Sequence, residues 1–262
     1  MYKLIESALS DIRAGIRMRQ VWIALASEDI GDQHRRTTLG PLWLLINYLA
    51  FAGTFIFIFN GGPVDPSHAA YVAIGLLIWL YITETITQGV TLFLREESFI
   101  KGTTLPLTVY VMRTALQSVF RAGYALVGCL AVLLFCGVPV SVAWVWSAVG
   151  LTIIVLATPA VILIFAFLGV FFPDSQFVVA NLMRVGMFLT PVFWTDTGIG
   201  GIQHAFYHYN PFTYFLDIVR VPILSGGVPL QAMEVCVGIS AIAWLLALLL
   251  LGKFRRQVAL VL

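Results

Sequence analysis

The stretch Asp32–Asn47, DQHRRTTLGPLWLLIN, is where the chain passes from a polar segment into apolar residues. Two basic residues, Arg35 and Arg36, come first, and the run Leu42–Phe59 that follows contains no charge. Basic residues that flank a membrane span stay on its cytoplasmic side. Pro41 suits the first turn of a helix, where its missing N–H has no partner within the helix. The stretch therefore predicts the start of a transmembrane helix and sets the sidedness of everything after it.

The composition indicates an integral membrane protein. Of the 262 residues, 60% are hydrophobic and 11% are charged, and the mean hydropathy is +0.95, whereas a soluble domain carries about 25% charged residues. Basic residues form no stripe outside the flanks of the apolar runs, which argues against nucleic-acid binding. Cys129, Cys136 and Cys236 lie in or beside apolar runs without a C-x-x-C pair. We therefore expect buried thiols, and neither a disulfide framework nor a zinc site.

Six apolar runs meet the requirement of about 20 mostly apolar residues for a transmembrane helix. These runs are Leu42–Phe59, Ala69–Gly89, Thr114–Phe135, Ala143–Val170, Phe177–Trp194 and Met233–Leu251. Pro159 predicts a kink or tilt in the fourth run. The predicted fold is therefore an all-α membrane protein with a single transmembrane domain. Residues 1–41 form a cytoplasmic or interfacial segment, residues 42–252 form a six-span bundle, and residues 253–262 form a cytoplasmic tail.

The distribution of lysine and arginine favours six spans with both termini in the cytoplasm, because cytoplasmic segments are enriched in these residues. The segments assigned to the cytoplasm contain Lys3, Arg13, Arg17, Arg19, Arg35, Arg36, Arg95, Lys101, Arg113, Lys253, Arg255 and Arg256. The segments assigned to the outside contain one basic residue, Arg220.

Two segments outside the spans are predicted to form short helices. Tyr2–Ile30 repeats apolar residues at helical spacing, and arginines on its polar face predict that it lies in the inner interface. Thr195–Gln231 is aromatic and is interrupted at Asn210-Pro211. We expect short amphipathic helices there that dip partly into the membrane from outside.

Motifs for catalysis and nucleotide binding are missing. Gly252-Lys253 lacks both the upstream glycine and the following Ser or Thr of a phosphate-binding loop, and no H-E-x-x-H or G-x-S-x-G occurs. His204 and His208 would share a helix face but have no third ligand nearby in the sequence. We therefore expect no catalytic residue, no metal site and no cofactor in this chain.

The segment Leu92–Arg113, LFLREESFIKGTTLPLTVYVMR, mixes charged and apolar residues on the predicted inner side. A short helix here would present both kinds of side chain to the cytoplasm and could dock a soluble partner. An ordinary solvated loop is the alternative. The candidate docking residues are Phe93, Arg95, Glu96, Glu97, Phe99 and Lys101.

Three charged residues, Glu84, Arg121 and Arg184, fall inside spans or near their inner ends. At 1.5 Å per residue, Glu84 lies about 8 Å from the end of the second span and Arg121 about 10 Å into the third. Their similar depth predicts an ion pair between neighbouring helices. The three residues would line or brace a path, since intramembrane charges face a partner or a wet cavity. Snorkelling to the interface is the alternative.

Aromatic residues gather before the last span and have two interpretations. Trp and Tyr collect at membrane interfaces whatever the function. They also offer flat surfaces on which the apolar faces of sugar rings can pack. The candidates for such a sugar path are Trp194, Tyr207, Tyr209, Phe212 and Tyr214.

Three motifs carry a resemblance to a known family. They are the basic-Thr-Thr-Leu-Gly-Pro-Leu-Trp run at Arg36–Trp43, the Leu105-Pro106-Leu107 end of the inner loop, and the Tyr209-Asn210-Pro211-Phe212 turn. Together with six spans, they make the chain similar, over nearly its whole length, to membrane subunits of ABC-2 type exporters. Within that class it resembles permeases that export bacterial O-antigen and related polysaccharides.

The resemblance implies a permease of the bacterial inner membrane that is not itself an enzyme. Two copies would form a channel, and each would dock a separate nucleotide-binding subunit that binds ATP and Mg. The Arg95–Lys101 segment would be the coupling helix, and the segment before the last span would form re-entrant helices near the exit. The substrate would be a lipid-linked glycan moved from cytoplasm to periplasm. Arg35, Arg36 and Trp43 would belong to the gate where it enters, with the two arginines contacting the carrier's phosphate or anchoring the helix.

Other cargoes and one other class of function stay open. An exporter of teichoic acid, capsule or a small amphiphile would share these features. An intramembrane enzyme of lipid-linked sugar metabolism would need several carboxylates or histidines at one depth, and Glu84 is the only carboxylate well inside a predicted span.

Overall fold

The computed structural model describes residues 2–34, 37–59, 65–195 and 201–262, and within these ranges the chain is helical with no strand. The helices are α1 (Tyr2–Arg17), α2 (Arg19–His34), α3 (Leu42–Phe59), α4 (Pro66–Arg95), α5 (Glu97–Gly102), α6 (Leu107–Phe135), α7 (Trp144–Phe171), α8 (Ser175–Leu189), α9 (Ile202–Tyr209), α10 (Pro211–Ser225) and α11 (Leu230–Val261).

Among the described residues, four helices, α4, α6, α7 and α11, are long and apolar enough to cross a membrane. The other two predicted spans form shorter apolar helices, α3 with 18 residues and α8 with 15. The fifth predicted span ends early, at Leu189 instead of Trp194, because the proline at 191 disfavours a helical conformation at Thr190, which is extended with ψ 140°. The second begins earlier than predicted, because Asp65 caps α4 by accepting a hydrogen bond from Ser67 N.

Helix α4 lies at the centre of the bundle and is buried along most of its length. It packs against α3, α6, α7, α8 and α10. The closest approach is to α7, where a Cβ at Gly169 would overlap the Val90 carbonyl, so only glycine fits there. Tyr81 and Thr158 join the same two helices by a hydroxyl hydrogen bond of 2.6 Å in the apolar interior.

Helix α1 is bound to the rest of the bundle by polar contacts from its buried face. The Asp11 carboxylate accepts hydrogen bonds from Thr108 N at 3.1 Å and Thr108 Oγ1 at 2.7 Å, so it caps the start of α6 from another helix. Arg255 Nη1 donates to Ser7 O at 2.9 Å, which joins α1 to α11. The amphipathic helix predicted for this segment is confirmed for α1, whereas α2, which follows a break at Met18, has no marked apolar face.

Two ends of the bundle can be defined from α4. The Arg95 end holds α5, the start of α6, the end of α11 and α1. The Pro66 end holds the start of α4, α9, α10 and the residues that follow α8, which Tyr71 of α4 contacts through Pro191 O and Trp194 O. The polar groups described below lie at these two ends and on the face of α4 between them.

Candidate functional site

Helix α5 and the last residue of α4 present a small exposed surface at the Arg95 end. We call it the α5 surface and define it as Arg95, Glu97, Phe99 and Lys101. Phe99 is 60% exposed although it is a large apolar residue. Lys101 Nζ and Glu97 Oε1 form an exposed ion pair of 2.6 Å, one helical turn apart. An apolar ring beside charges of both signs is a surface suited to binding another protein.

Two residues predicted for this surface face inward, so the expectation that they present to the cytoplasm is wrong. Phe93 is completely buried and packs edge-on against Phe167, with 5.5 Å between ring centroids. The Glu96 side chain is 9% exposed and accepts a hydrogen bond from Arg113 Nη1 at 3.1 Å. The reason is that α4 continues to Arg95, so its helical register turns both positions toward the core.

Glu96 belongs to a cluster that sequence inspection missed, which we call the Arg113 cluster: Asp29, Glu96, Arg113 and Gln117. Arg113 Nε and Nη2 bind both carboxylate oxygens of Asp29, at 2.6 and 2.7 Å. Gln117 Nε2 also donates to Asp29. The cluster joins α2, the α4–α5 junction and α6 at one point. From the sequence, Arg113 was used only as one of the basic residues that indicate the cytoplasmic side. No local pattern connects it to Asp29, 84 residues earlier.

The predicted ion pair between Glu84 and Arg121 is present and joins α4 to α6. It begins a row of polar residues on one partly exposed face of α4. Arg95 Nη1 donates to Gln88 Oε1 at 2.6 Å, and the hydroxyls of Thr87 and Thr91 bond to carbonyls of the preceding turn. We call this row the α4 polar stripe: Glu84, Thr87, Gln88, Thr91 and Arg95. Such a row in a membrane-length helix is suited to water or protein and not to lipid tails.

The remaining inner candidates lie apart from this stripe. Arg184 is exposed on α8, where its guanidinium donates to Asn181 Oδ1 at 3.5 Å. Trp43 is 40% exposed in the first turn of α3. Arg35 and Arg36 lie outside the described residues.

At the Pro66 end, a buried arginine organises a second cluster, which we call the Arg220 cluster: Tyr71, Tyr207, Asp217 and Arg220. Arg220 is 2% exposed, lies 3.5 Å from the centroid of the Tyr71 ring, and donates to the carbonyls of Pro191 and Val192. Tyr207 donates to Asp217 Oδ2 at 3.0 Å. The cluster fixes α9 and α10 to α4. In the sequence, its only sign is an isolated basic residue, Arg220, in an outer segment.

Burial shifts the acid–base behaviour of Asp217 and Tyr207 in the Arg220 cluster. It raises the pKa of the Asp217 carboxyl, and the positive charge of Arg220 and the Tyr207 hydrogen bond oppose that rise. It also raises the pKa of Tyr207, and the Asp217 charge raises it further. Tyr207 therefore remains a neutral hydroxyl that donates to Asp217.

The predicted aromatic candidates occupy different environments. Tyr209 is 86% exposed, whereas Trp194, Tyr207, Phe212 and Tyr214 are partly buried. Phe212 packs edge-on against Trp79, with 5.5 Å between ring centroids. Asn210 caps the start of α10 by accepting a hydrogen bond from Phe212 N at 2.9 Å. The Tyr214 hydroxyl donates to His208 O, and Trp194 Nε1 donates to Phe188 O. The aromatic candidates thus form a set of rings around α9 and α10, and Tyr209 is the most exposed of them.

Comparison with known proteins identifies relatives of the chain. Residues 19–224 match the family described as ABC-2 type transporter. Two proteins of Klebsiella pneumoniae named O-antigen export system permease protein RfbA are each 22% identical to the chain over 243 residues, which is 90% of this chain and 93% of each relative. A protein of the same name from Myxococcus xanthus is 23% identical over 189 residues, 70% of this chain and 71% of that protein.

Proposed function

Because this chain belongs to the ABC-2 type transporter family, we propose that it is the membrane subunit of an ATP-driven exporter of a lipid-linked polysaccharide. The family and the apolar helices make it a multi-pass membrane protein. The names of the relatives support a polysaccharide cargo and make O-antigen the first candidate. The proposal places it in the bacterial inner membrane and moves the cargo from cytoplasm to periplasm.

The α4 polar stripe is the observation that carries the proposal. A polysaccharide is rich in hydroxyl groups, and these need hydrogen-bonding partners where the lipid offers none. The stripe supplies carboxylate, amide and hydroxyl groups along about 16 Å of α4, from Glu84 to Arg95 at 1.5 Å per residue. In the proposed transporter the stripe faces the path, and the Glu84–Arg121 pair braces its wall. Arg184 would line the path from α8.

The proposed topology has six spans, and the position of α8 supports it. Helices α3 and α8 are about 27 and 22 Å long, shorter than a hydrocarbon core of about 30 Å. The segment of α8 nonetheless begins near the Arg95 end, just after Phe171, which packs against Phe254 of α11. It ends at the Pro66 end, where Trp194 O accepts from Tyr71. With α3, α4, α6, α7, α8 and α11 as spans, the Arg95 end and both termini are cytoplasmic.

ATP would act through the α5 surface. A separate nucleotide-binding subunit would bind ATP and Mg, and two such subunits would dock on two copies of this chain. Glu97, Phe99 and Lys101 are exposed for that contact, while Glu96 connects it to the Arg113 cluster. A movement of α5 would then reach α2 and α6 together. Arg35, Arg36 and Trp43 remain the candidates for the gate, and the aromatic rings around α9 and α10 for the exit.

Export by cells tests the proposal. Deleting the gene for this chain should remove the glycan from the cell surface and leave its lipid-linked form inside, and the wild-type chain should restore export. Export should also stop when the partner ATPase carries a substitution that blocks hydrolysis. Unchanged surface glycan in the deletion strain would contradict the proposal. Restoration of teichoic acid, capsule or amphiphile export instead would identify the alternative cargo.

The alternative of an intramembrane enzyme makes a different prediction. The purified chain would then convert a lipid-linked sugar chemically without a partner. We expect the lipid-linked glycan to be recovered unchanged after incubation with the chain in lipid nanodiscs, as mass spectrometry would show.

A further inference from the structure

A cavity of about 400 Å³ lies between α9, α10 and the start of α11. Its size falls within the roughly 300–1,000 Å³ of small-molecule sites. Polar and aromatic side chains line one part of it, and apolar residues of the α10–α11 connection line another. The polar and aromatic lining consists of Tyr207, His208, Thr213, Tyr214, Asp217 and Gln231.

Several of these groups retain capacity for hydrogen bonding. The Asp217 carboxylate accepts one hydrogen bond, from Tyr207, and lies 3.9 Å from Arg220, whereas two carboxylate oxygens can accept about four. Gln231 is exposed at the edge of the cavity. Thr213 is 1% exposed, and within the described residues its hydroxyl has no hydrogen-bond partner. Buried hydroxyls are normally paired, and Thr213 lies in the cavity lining, so its hydroxyl is available to a ligand of the cavity.

The aromatic groups of the cavity are held in place. The Tyr214 hydroxyl donates to His208 O at 2.9 Å, and Tyr207 is held by Asp217. Fixed rings beside carboxylate, amide and hydroxyl groups match the chemistry of a sugar, which has an apolar face and a rim of hydroxyls. The single carboxylate disfavours a phosphate or other anion, because like charges repel.

We propose that this cavity is a binding site for one sugar unit of the exported glycan, placed at the Pro66 end of the path. This inference rests on the proposed export function and assigns a substrate contact to Thr213, Asp217 and Gln231. Asp217 accepts hydrogen bonds from neighbouring sugar hydroxyls, and Gln231 binds from the edge. On binding, rotation about the Thr213 Cα–Cβ bond turns its hydroxyl toward the sugar. The site would hold the emerging chain one unit at a time.

Direct sugar binding tests the site with the whole chain in lipid nanodiscs. The probes are D-galactose, D-mannose, L-rhamnose and N-acetyl-D-glucosamine, each measured separately by saturation-transfer NMR. We expect transfer to at least one of them, weakened about tenfold in Thr213→Val and in Gln231→Ala, in line with the loss of one hydrogen bond. Asp217→Asn should weaken it as well.

Two matched controls separate binding from folding. Thr114→Val removes another buried threonine hydroxyl without a partner in the described residues, on α6. Gln203→Ala removes an exposed amide on α9, outside the cavity lining. Both should bind sugar like the wild type. No transfer to any of the four sugars, or equal transfer in all variants, overturns the site. Failure of the export function would appear separately, as normal surface glycan in the deletion strain.

Discussion

Two arginines, Arg113 and Arg220, join helices at opposite ends of the bundle. Arg113 makes a two-pronged contact with Asp29 and a third bond to Glu96. Arg220 binds two carbonyls and stacks on Tyr71. The planar guanidinium provides several donors in fixed directions, so one residue can connect three chain segments. Lysine could not reproduce either arrangement.

Removing Arg113 should destabilise the chain. Arg113→Ala would leave the mostly buried Asp29 carboxylate without its cation, and Glu96 would keep only its 3.4 Å contact with Arg95. We expect a loss of about 2–4 kcal/mol in the free energy of unfolding, measured by thermal unfolding of the chain in detergent. Arg256→Ala, an exposed arginine near the end of α11, is the control and should change little. A stability of Arg113→Ala equal to that of the control would show that the cluster contributes nothing.

The Glu84–Arg121 pair allows a charge-exchange experiment. Each single reversal, Glu84→Arg or Arg121→Glu, places like charges together inside the membrane and should reduce the folded yield several-fold. The double exchange restores an ion pair and should recover most of that yield, measured by size-exclusion chromatography of the solubilised chain. A double variant no better than the single ones would contradict direct pairing.

The Glu84–Arg121 and Arg113–Asp29 pairs differ in how far the sequence could predict them. Glu84 and Arg121 lie on spans that are consecutive in the sequence, so counting residues from the helix ends gives their depth and predicts contact. The partner of Arg113, Asp29, lies on α2, and the way α2 packs on α6 depends on tertiary contacts that no local pattern records. The same holds for Arg220, whose burial depends on α10 packing against α4.

At the scale of the helix, the junction between α4 and α5 places two adjacent glutamates in different environments. Glu96 is the cap residue between α4 and α5 and faces the Arg113 cluster, whereas Glu97 begins α5 and is about half exposed. Both glutamates were predicted to be docking residues because the boundary between α4 and α5 is not visible in the sequence. The faces of a helix can be assigned from its register only when its ends are known. The inner segment is thus part core and part surface.

This separation predicts different outcomes for the two reversals. Glu97→Lys should leave folding unchanged, because the exposed pair with Lys101 contributes at most about 0.5 kcal/mol, but it should reduce export and the stimulation of the partner's ATPase. Glu96→Lys should lower thermal stability, since it buries a second cation beside Arg113. Normal export by both single variants, Glu97→Lys and Phe99→Ala, would show that the α5 surface does not form the coupling contact.

At the scale of the whole molecule, the number of spans decides which ends share a compartment. Six apolar runs could be counted in the sequence, and all six form helices. In the part of the chain that the structure describes, however, length alone supports four of them as full spans. Helices α3 and α8 are shorter than the hydrocarbon core, and helices of this length can still span it by thinning the bilayer locally. The packing of α8 between the two ends is tertiary information that its sequence does not contain.

Cysteine labelling can count the spans directly. In a chain whose three cysteines are replaced by alanine, single cysteines at Ser98→Cys on α5 and Gln203→Cys on α9 both occupy exposed positions. With six spans, two precede Ser98 and five precede Gln203, so the sites face opposite compartments. With only the four long spans, one precedes Ser98 and three precede Gln203, so both face the same compartment. We expect a membrane-impermeant maleimide to label Gln203→Cys in spheroplasts and Ser98→Cys only after lysis, and labelling of both sites, or of neither, before lysis would contradict the six-span topology.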